Sequence, residues 1–489
     1  MIVIGQLERP HQQTIIAFQK YAFICILSLH LIKHIHLFIY SFTFYIHNTW
    51  PDRWADISSF NNVKINWEEL VSTRIGVFGW GIVAPKSPNI EAFAANLQSS
   101  ESWLAPFNGF GPDNFLVGMP EFNFADYRDW IDARFPPRKF MQLEEKMDLP
   151  SLYAIGAFIQ ALGQNREMES MLQRLGSQAH IYLGMGIGNI GVIHKASLAL
   201  ERAQRAWDLF WTDPSRNTEL RRYLSGDRRP DESIPTEPSA VAENDRGEAE
   251  QEWRHYWAAR SPELADYLRE LAEIENMSIE GEIESGKLSV IREKNRLRAR
   301  LQKKWGAPDP PWLVSADVVW NIPNTPAAQV SMIGRITGLS FAPSAACSTF
   351  GVALWLAMKA IQSGEAKAVV VGATDPPPHP LIVGAFYSAR VISADRRVSL
   401  PLTRLQGTHV SGGSVVWIVA DYDYMTEHGF KPVGMQPLAV GVSSDAHHII
   451  TPTIEGPTAA IQQALADALA RTGEIGTWDL HATATPGDH

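Results

Sequence analysis

Short apolar runs alternate with segments of helical apolar spacing along much of the chain. The run RIGVFGWGIVAP from Arg74 predicts a buried strand that ends in a glycine turn. The next segment, SPNIEAFAANLQSS, predicts a helix with Ser87 as its N-cap. Further on, LPSLYAIGAFIQALGQ has helical spacing, and HIYLGMGIGNIG predicts a strand followed by glycines. This alternation predicts an α/β fold whose sheets are covered by helices.

The pattern changes between about residues 201 and 310, where the sequence becomes charged and helix-favouring. ELADYLRELAEIE and VIREKNRLRARLQKKW predict amphipathic helices in this insertion. A solvated helical surface is the simpler interpretation of its charge runs. Docking of an acidic partner on the basic run Arg292–Lys304 is the alternative.

Strand–helix alternation resumes after the insertion. We predict strands in the five segments GLSFAPSAAC, AKAVVVGATD, GGSVVWIVADY, VGMQPLAVGVSSD and TWDLHATATPG. Helices are predicted at 348–363 and 457–472 between them. Because strand–glycine–helix units recur in both parts of the chain, the sequence hints at an internal duplication.

The composition narrows the class of protein. At 489 residues the chain is too long for one ordinary hydrophobic core, and its net charge of −10 argues against nucleic-acid binding driven by bulk charge. Two cysteines, Cys25 and Cys347, cannot form a disulfide framework, which favours a reducing, cytoplasmic compartment. No metal site is expected, since the four N-terminal histidines are irregularly spaced: His30, His34, His36 and His47.

Residues 1–70 form an atypical apolar extension. Tyr21–His47 is long enough for a membrane span, but Lys33 near its middle would cost roughly 2.5–3.5 kcal/mol to insert. The alternative is a start codon assigned too early, so that the segment is never made. We therefore expect membrane association only if residues 14–46 are synthesised.

The glycine run Gly186–Gly191 matches G-x-G-x-x-G and follows a predicted strand. Dinucleotide binding would also need a second strand soon afterwards, with an acid about 20 residues beyond the motif. The charged insertion follows instead. Close packing between strand and helix explains the same glycines, so no cofactor is expected here.

Cys347 lies where an apolar run of small residues passes into a predicted helix. The helix N-terminus would stabilise a thiolate there, whereas a buried structural cysteine is the alternative. His481 follows a short predicted strand and precedes small hydroxyl residues, which suits a pocket rim better than a core. A thiol and an imidazole on two such ends indicate thioester or acyl chemistry.

These segments, in their order, resemble the β-ketoacyl synthases. RIGVFGWGIVAPKSPNIEAFAANL is similar to the family's opening strand and helix, and NTPAAQVSMIGRITGLSFAPSAACST to its approach to the nucleophile. GVSSDAHHIITPTIEGP resembles the loop that opens the second half, and HATATPGD resembles the family's His-Gly-Thr-x-Thr-Pro motif. The resemblance covers roughly residues 74–200 and 311–489.

The resemblance implies a thiolase-like fold of two similar halves, each a sheet between helices, in a homodimer or heterodimer. Residues 74–200 and 311–432 would form the first half around the 201–310 insertion, and 433–489 would begin an incomplete second half. It also implies a condensing enzyme of fatty-acid or polyketide biosynthesis. Cys347 and His481 would be catalytic, and Thr483 and Thr485 would bind the phosphopantetheine arm of an acyl carrier protein.

On that resemblance, Cys347 takes up an acyl group as a thioester and then condenses it with a decarboxylating malonyl thioester. No cofactor of the chain's own is expected, because the arm belongs to the carrier. The sequence departs from the family at Ala482, Ala484 and Gly412, which replace a usual glycine, a glycine or serine, and a glutamate.

The family's lysine, second histidine and glycine-rich oxyanion loop lie beyond the position that matches His489, so we expect the chain to be a fragment. Their loss would threaten decarboxylation more than acylation. The alternative function is a non-catalytic partner subunit of the kind that sets chain length, although such subunits typically lack the cysteine. A cysteine hydrolase using Cys347 and His481 is a third, less favoured reading.

Overall fold

The computed structural model describes residues 2–7, 73–99, 101–111, 114–227, 233–277, 283–313, 315–401, 403–447, 453–469 and 475–485. The predicted span at 14–46, the four N-terminal histidines and Cys25 lie outside these residues. The strands are β1 (Ile2–Leu7), β2 (Ile75–Val83), β3 (Ala105–Pro106), β4 (Leu116–Val117), β5 (Ala179–Gly184), β6 (Ser340–Phe341), β7 (Ala368–Asp375), β8 (Gly413–Asp421) and β9 (Met435–Gly441).

The helices are α1 (Ile90–Gln98), α2 (Arg128–Asp132), α3 (Lys139–Lys146), α4 (Leu149–Gly163), α5 (Met168–Leu175), α6 (Ile190–Trp211), α7 (Thr218–Leu224), α8 (Arg246–Ala259), α9 (Pro262–Glu275), α10 (Ile283–Trp305), α11 (Asp317–Trp320), α12 (Thr325–Gly334), α13 (Thr349–Gln362), α14 (Pro380–Ser388), α15 (Tyr422–Glu427) and α16 (Glu455–Asp467). Within the described ranges, none of these helices is both long enough and apolar enough to cross a bilayer.

A mixed five-stranded sheet organises the first of two compact units, which comprises residues 1–191 and 319–489. Its strand order is β2-β8-β7-β5-β6; β8 runs antiparallel to both neighbours, and β5 is parallel to β7 and β6. Helices α4 and α12 pack on one face, and α13 packs on the other. The predicted α/β architecture with a sheet between helices is confirmed.

Helix α4 is apolar around its whole circumference, which is typical of a helix enclosed in a core. It approaches β2 closely because two strand residues lack side chains. A Cβ added at Gly79 would lie 2.2 Å from the carbonyl oxygen of Ala161, and one added at Gly81 would lie 1.9 Å from that of Ala157. The glycines predicted to end a strand therefore form a helix-packing surface inside it.

Three local predictions are wrong. Ser87 is not the N-cap of α1; Asn89 accepts the capping hydrogen bond from Ala92, while Ser87 is buried and bonded to Asn96. The run before Cys347 is not a buried strand, since β6 has two half-buried residues at the edge of the sheet. TWDLHATATPG forms no strand in its described part, residues 477–485. Segments at an edge or near a turn lack the neighbours that would extend a ladder.

The second compact unit comprises residues 192–318 and has its own core. Trp207, Trp211 and Tyr267 are buried there together with Leu301. This unit includes the stretch at 201–310 that the sequence marks as a charged insertion.

Two side chains of the basic run Arg292–Lys304 pair with acids on the neighbouring helix. Arg298 donates to Glu275 at 2.6 Å, and Lys304 donates to Glu270 at 2.6 Å. Lys294 donates to the carbonyl oxygen of Glu275. These contacts between α9 and α10 favour the simpler interpretation, a solvated surface.

Candidate active site

Cys347 occupies a single 3₁₀ turn, Ala346–Ser348, directly before α13. Ala346 has φ +48°, a left-handed conformation that costs a non-glycine residue of order 1 kcal/mol or more. The hydroxyl of Thr349 fixes this turn, because it accepts from the Ala345 amide at 3.0 Å and donates to the Ala346 carbonyl oxygen at 2.7 Å. The turn leaves the Cys347 side chain exposed.

The structure brings the thiol of Cys347 to the imidazole of His481. A hydrogen bond from His481 is the main cause that lowers the pKa of the thiol, and burial opposes it. A lower thiol pKa increases the fraction of thiolate, which is the reactive form of cysteine. The sequence predicts His481 at the end of a strand, whereas residues 477–485 form no strand.

Thr483 and Thr485 lie just beyond His481, with their hydroxyl oxygens 3.0 Å apart. The residue between them, Ala484, is buried and has φ +60°. The amide of Gly407 donates to the Ala484 carbonyl oxygen at 2.8 Å and so holds this backbone in place. Ala484 replaces a residue that is often glycine in the similar family, and it adopts a conformation that favours glycine.

Sequence reasoning missed Asp375, the last residue of β7. Its carboxylate accepts from the amide of Gly186 at 3.1 Å and from that of Ile187 at 2.8 Å. These amides belong to the glycine run that resembled a dinucleotide motif, so the protein uses the loop internally. The signal that could have found Asp375 is an acid placed directly after the buried run AKAVVVGAT.

Gly412, where the similar family usually has glutamate, lies against another part of the same region. A Cβ added there would lie 2.3 Å from the carbonyl oxygen of Pro376. The close backbone contact therefore requires glycine at this position. A glutamate in place of Gly412 would not fit the local packing. No cluster of histidine, cysteine or acidic side chains suited to a metal ion occurs among the described residues.

The sequence around Cys347 matches a known protein family. A sequence model of the β-ketoacyl synthase N-terminal domain matches residues 295–423, which include the nucleophile turn and β7. This part of the chain is similar to the β-ketoacyl synthase family. The matched range also includes α13 and α14, so it covers both sides of the turn that carries Cys347.

Curated relatives extend this similarity. Nodulation protein E of Rhizobium sp. (strain N33) is 29% identical over 169 residues, which are 35% of this chain and 42% of that protein. The 3-oxoacyl-[acyl-carrier-protein] synthase 2 of Vibrio harveyi is 27% identical over 183 residues, 36% of this chain and 43% of that protein. The chain thus spans about two fifths of the length of the curated relatives it matches.

A crystal structure of a β-ketoacyl synthase from Burkholderia phymatum STM815 has the same fold. It superposes with a TM-score of 0.51 at 16% sequence identity, covering 85% of this chain and 75% of that chain. The sheet between helices is accordingly the thiolase-like architecture that the sequence predicted.

Proposed function

We propose that this chain carries the acyl-accepting site of a β-ketoacyl-[acyl-carrier-protein] synthase of fatty-acid or polyketide biosynthesis. The observation that carries the proposal is the hydrogen bond between the Cys347 thiol and His481. Its partner would be an acyl carrier protein, in keeping with the name of the similar Vibrio harveyi enzyme. We further propose a cytoplasmic homodimer or heterodimer with no cofactor of its own.

In the first step, the Cys347 thiolate attacks the carbonyl carbon of an acyl thioester. A new carbon–sulfur bond forms to Cys347, and the bond to the sulfur of the phosphopantetheine arm breaks. The departing sulfur leaves as a thiolate and takes up the proton that the Cys347 thiol gave to the imidazole. His481 favours this step because its hydrogen bond stabilises the thiolate of the attacking residue.

In the second step, a malonyl thioester loses carbon dioxide, and the electron pair of the broken bond becomes a carbanion. That carbon attacks the acyl group on Cys347, and the thiolate leaves. We assign to His481 a hydrogen bond to the malonyl thioester oxygen, where negative charge develops. Thr483 and Thr485 would bind the phosphopantetheine arm, and their adjacent hydroxyls on an anchored backbone support this assignment.

Alkylation tests the acylation site without requiring the second step. In a Cys25→Ser background, Cys347 is the only thiol, since the chain has 2 cysteines. We expect iodoacetamide to label it faster at pH 7 than an unperturbed cysteine, because His481 lowers the pKa of the thiol and so raises the thiolate fraction. Prior incubation with an acyl-carrier thioester should block the labelling by acylating Cys347.

Histidine variants identify the source of the reactivity. His481→Ala should slow alkylation at pH 7, because the thiol pKa rises toward its ordinary value when the hydrogen bond from His481 is lost. His428→Ala is the matched control, since that exposed histidine bonds to its own helix at Tyr424. Labelling of the parent chain no faster than a free thiol, with no protection by acyl carrier, would favour the non-catalytic partner subunit.

A further inference from the structure

The carboxylate of Asp375 connects two segments that follow neighbouring strands at the same end of the central sheet. Strands β5 and β7 are parallel, with Gly184 opposite Ala373, so the loop after β5 begins beside the end of β7. Asp375 accepts the amides of Gly186 and Ile187, and the Gly188 amide also bonds to it. Three amides therefore converge on one side chain and fix the loop.

This loop lies directly against the turn that carries the nucleophile. A Cβ added at Gly186 would lie 3.0 Å from Asp375 Oδ2 and 3.2 Å from the carbonyl oxygen of Ala346. Gly186 is thus packed between the carboxylate and the residue before Cys347. Because Ala346 is held at φ +48°, its conformation depends on such surrounding contacts.

Asp375 also faces the thiol electrically. Burial raises the pKa of Asp375, and the loop amides oppose that rise. Its charge raises the pKa of Cys347, whereas His481 lowers it by a larger amount. The charges of His481 and Asp375 thus act on the thiol in opposite directions.

We propose that Asp375 is a positioning residue for the acylation described above: its carboxylate holds residues 186–188 against Ala346 and thereby fixes the turn that presents Cys347 to His481. Its negative charge restrains ionisation of the thiol. A thiolate with a less depressed pKa is the stronger nucleophile once it is formed. The inference rests on the proposed function, because positioning matters only if Cys347 reacts.

The test is the pH dependence of Cys347 alkylation by iodoacetamide in the Cys25→Ser background. Asp375→Asn keeps the size of the side chain and an oxygen that can still accept from the loop amide of Ile187, but it removes the charge, so the midpoint of the alkylation curve should move to lower pH. A midpoint equal to that of the parent chain would overturn the inference. A merely structural role would not lower this midpoint.

Asp421→Asn is the matched control. Asp421 is the last residue of β8, and because β8 is antiparallel to β7 it lies at the opposite end of the strands from Asp375. It pairs with Lys367 at 2.7 Å and accepts from the Tyr424 amide at 3.1 Å as the cap of α15. Its loss should destabilise the fold without moving the alkylation midpoint. A midpoint lowered equally by both variants would mean that the effect is not specific to Asp375, and it would overturn the inference.

Gly186→Ala provides a second test if Asp375→Asn does not fold. The added methyl group pushes against Asp375 Oδ2 and the Ala346 carbonyl oxygen while the charge stays, so the plateau alkylation rate at high pH should fall severalfold. An unchanged plateau would contradict the positioning role. Slow alkylation of the parent chain itself would instead contradict the proposed function, so the two failures can be told apart.

Discussion

Two pairs of carboxylates, one pair in each compact unit, lie in different environments. In the first unit, Asp375 and Asp148 are largely withdrawn from water, and burial is the main cause that raises the pKa of each. In the second unit, Glu270 and Glu275 lie at the surface, and hydrogen bonds from Lys304 and Arg298 lower the pKa of each. Withdrawing a carboxylate from water costs free energy, whereas an exposed ion pair costs and contributes little.

This difference shows which charged residues indicate a functional site. The charge-rich helices of residues 192–318, the most conspicuous charged region in the sequence, pair some of their charges at the surface, as Arg298 does with Glu275 and Lys304 with Glu270. The acid that faces the nucleophile is a single residue after an apolar strand. A costly acid persists only where its surroundings hold it, so isolated acids at strand ends are the better guide to a site.

The two units should also differ in how much space their glycines leave for a side chain. Gly81→Ala would place a methyl group 1.9 Å from the Ala157 carbonyl oxygen and force α4 away from β2. We expect a loss of about 4 kcal/mol or more in the free energy of unfolding, measured by urea denaturation. Gly247→Ala in α8 is the matched control, since nothing lies within 4 Å of the added Cβ. That substitution should stabilise by about 0.5–1 kcal/mol.

Equal effects of these two substitutions would remove the structural distinction between the units. A loss at Gly247 would show that its helix packs against something on that side. A mild effect at Gly81 would show that the helix–sheet spacing in the first unit is adjustable, which close-packed cores generally are not.

The burial of Asp148 predicts a pH-dependent stability of the first unit. Burial raises its pKa to about 6, above the ordinary value of 3.8, so the folded state holds a proton that the unfolded state has already lost. The associated stability is full below about pH 4 and is lost as the pH rises to about 6. The shift corresponds to roughly 3 kcal/mol at most.

Asp148→Asn should therefore stabilise the protein at pH 7.5 and have little effect at pH 4, as measured by thermal melting at both values. The hydrogen bond from Ser151 and the one from the Asp148 amide to Asn321 can both persist in the variant. Glu270→Gln in the second unit serves as the contrast and should show no such gain. Identical pH profiles for the parent chain and Asp148→Asn would contradict the withdrawal of this carboxylate from water.

The sequence predicted the parts of the fold that follow from periodicity. The buried strands at 75–83 and 368–375 and the helix after Cys347 were identified because long apolar runs determine them. The partnership of Cys347 with His481 came from motif order, since periodicity gives no contact between residues 134 positions apart. The family resemblance therefore contributed what local patterns could not.

What the sequence missed depends on tertiary contacts. The strand predicted before Cys347 shrinks to two residues at a sheet edge, where a ladder has a partner on one side only. The role of Asp375 requires three amides from a loop almost 190 residues away. The sequence predicts Ser87 as the helix cap, whereas Asn89 holds that position; both residue types are good caps, and packing decides between them.

The ion pairs between α9 and α10 should give the smallest stability effect in this comparison with the first unit. Arg298 and Glu275 are bonded at 2.6 Å, but their side chains are 40% and 41% exposed. We expect Arg298→Ala to reduce the free energy of unfolding by less than about 1 kcal/mol, because water already solvates both charges. The loss should shrink further in 1 M salt, where the screening length is about 3 Å.

A double-mutant cycle with Glu275→Ala isolates the pair from the packing of the arginine stem, which covers neighbouring surface whether or not the charge is paired. Urea denaturation at low and high salt would give the coupling energy for the two conditions. A coupling above about 2 kcal/mol that persists in salt would place this pair in an environment as dry as that of Asp375. In that case the charge-rich helices would not be an ordinary solvated surface, and the basic run Arg292–Lys304 would have to be reconsidered as part of an interface.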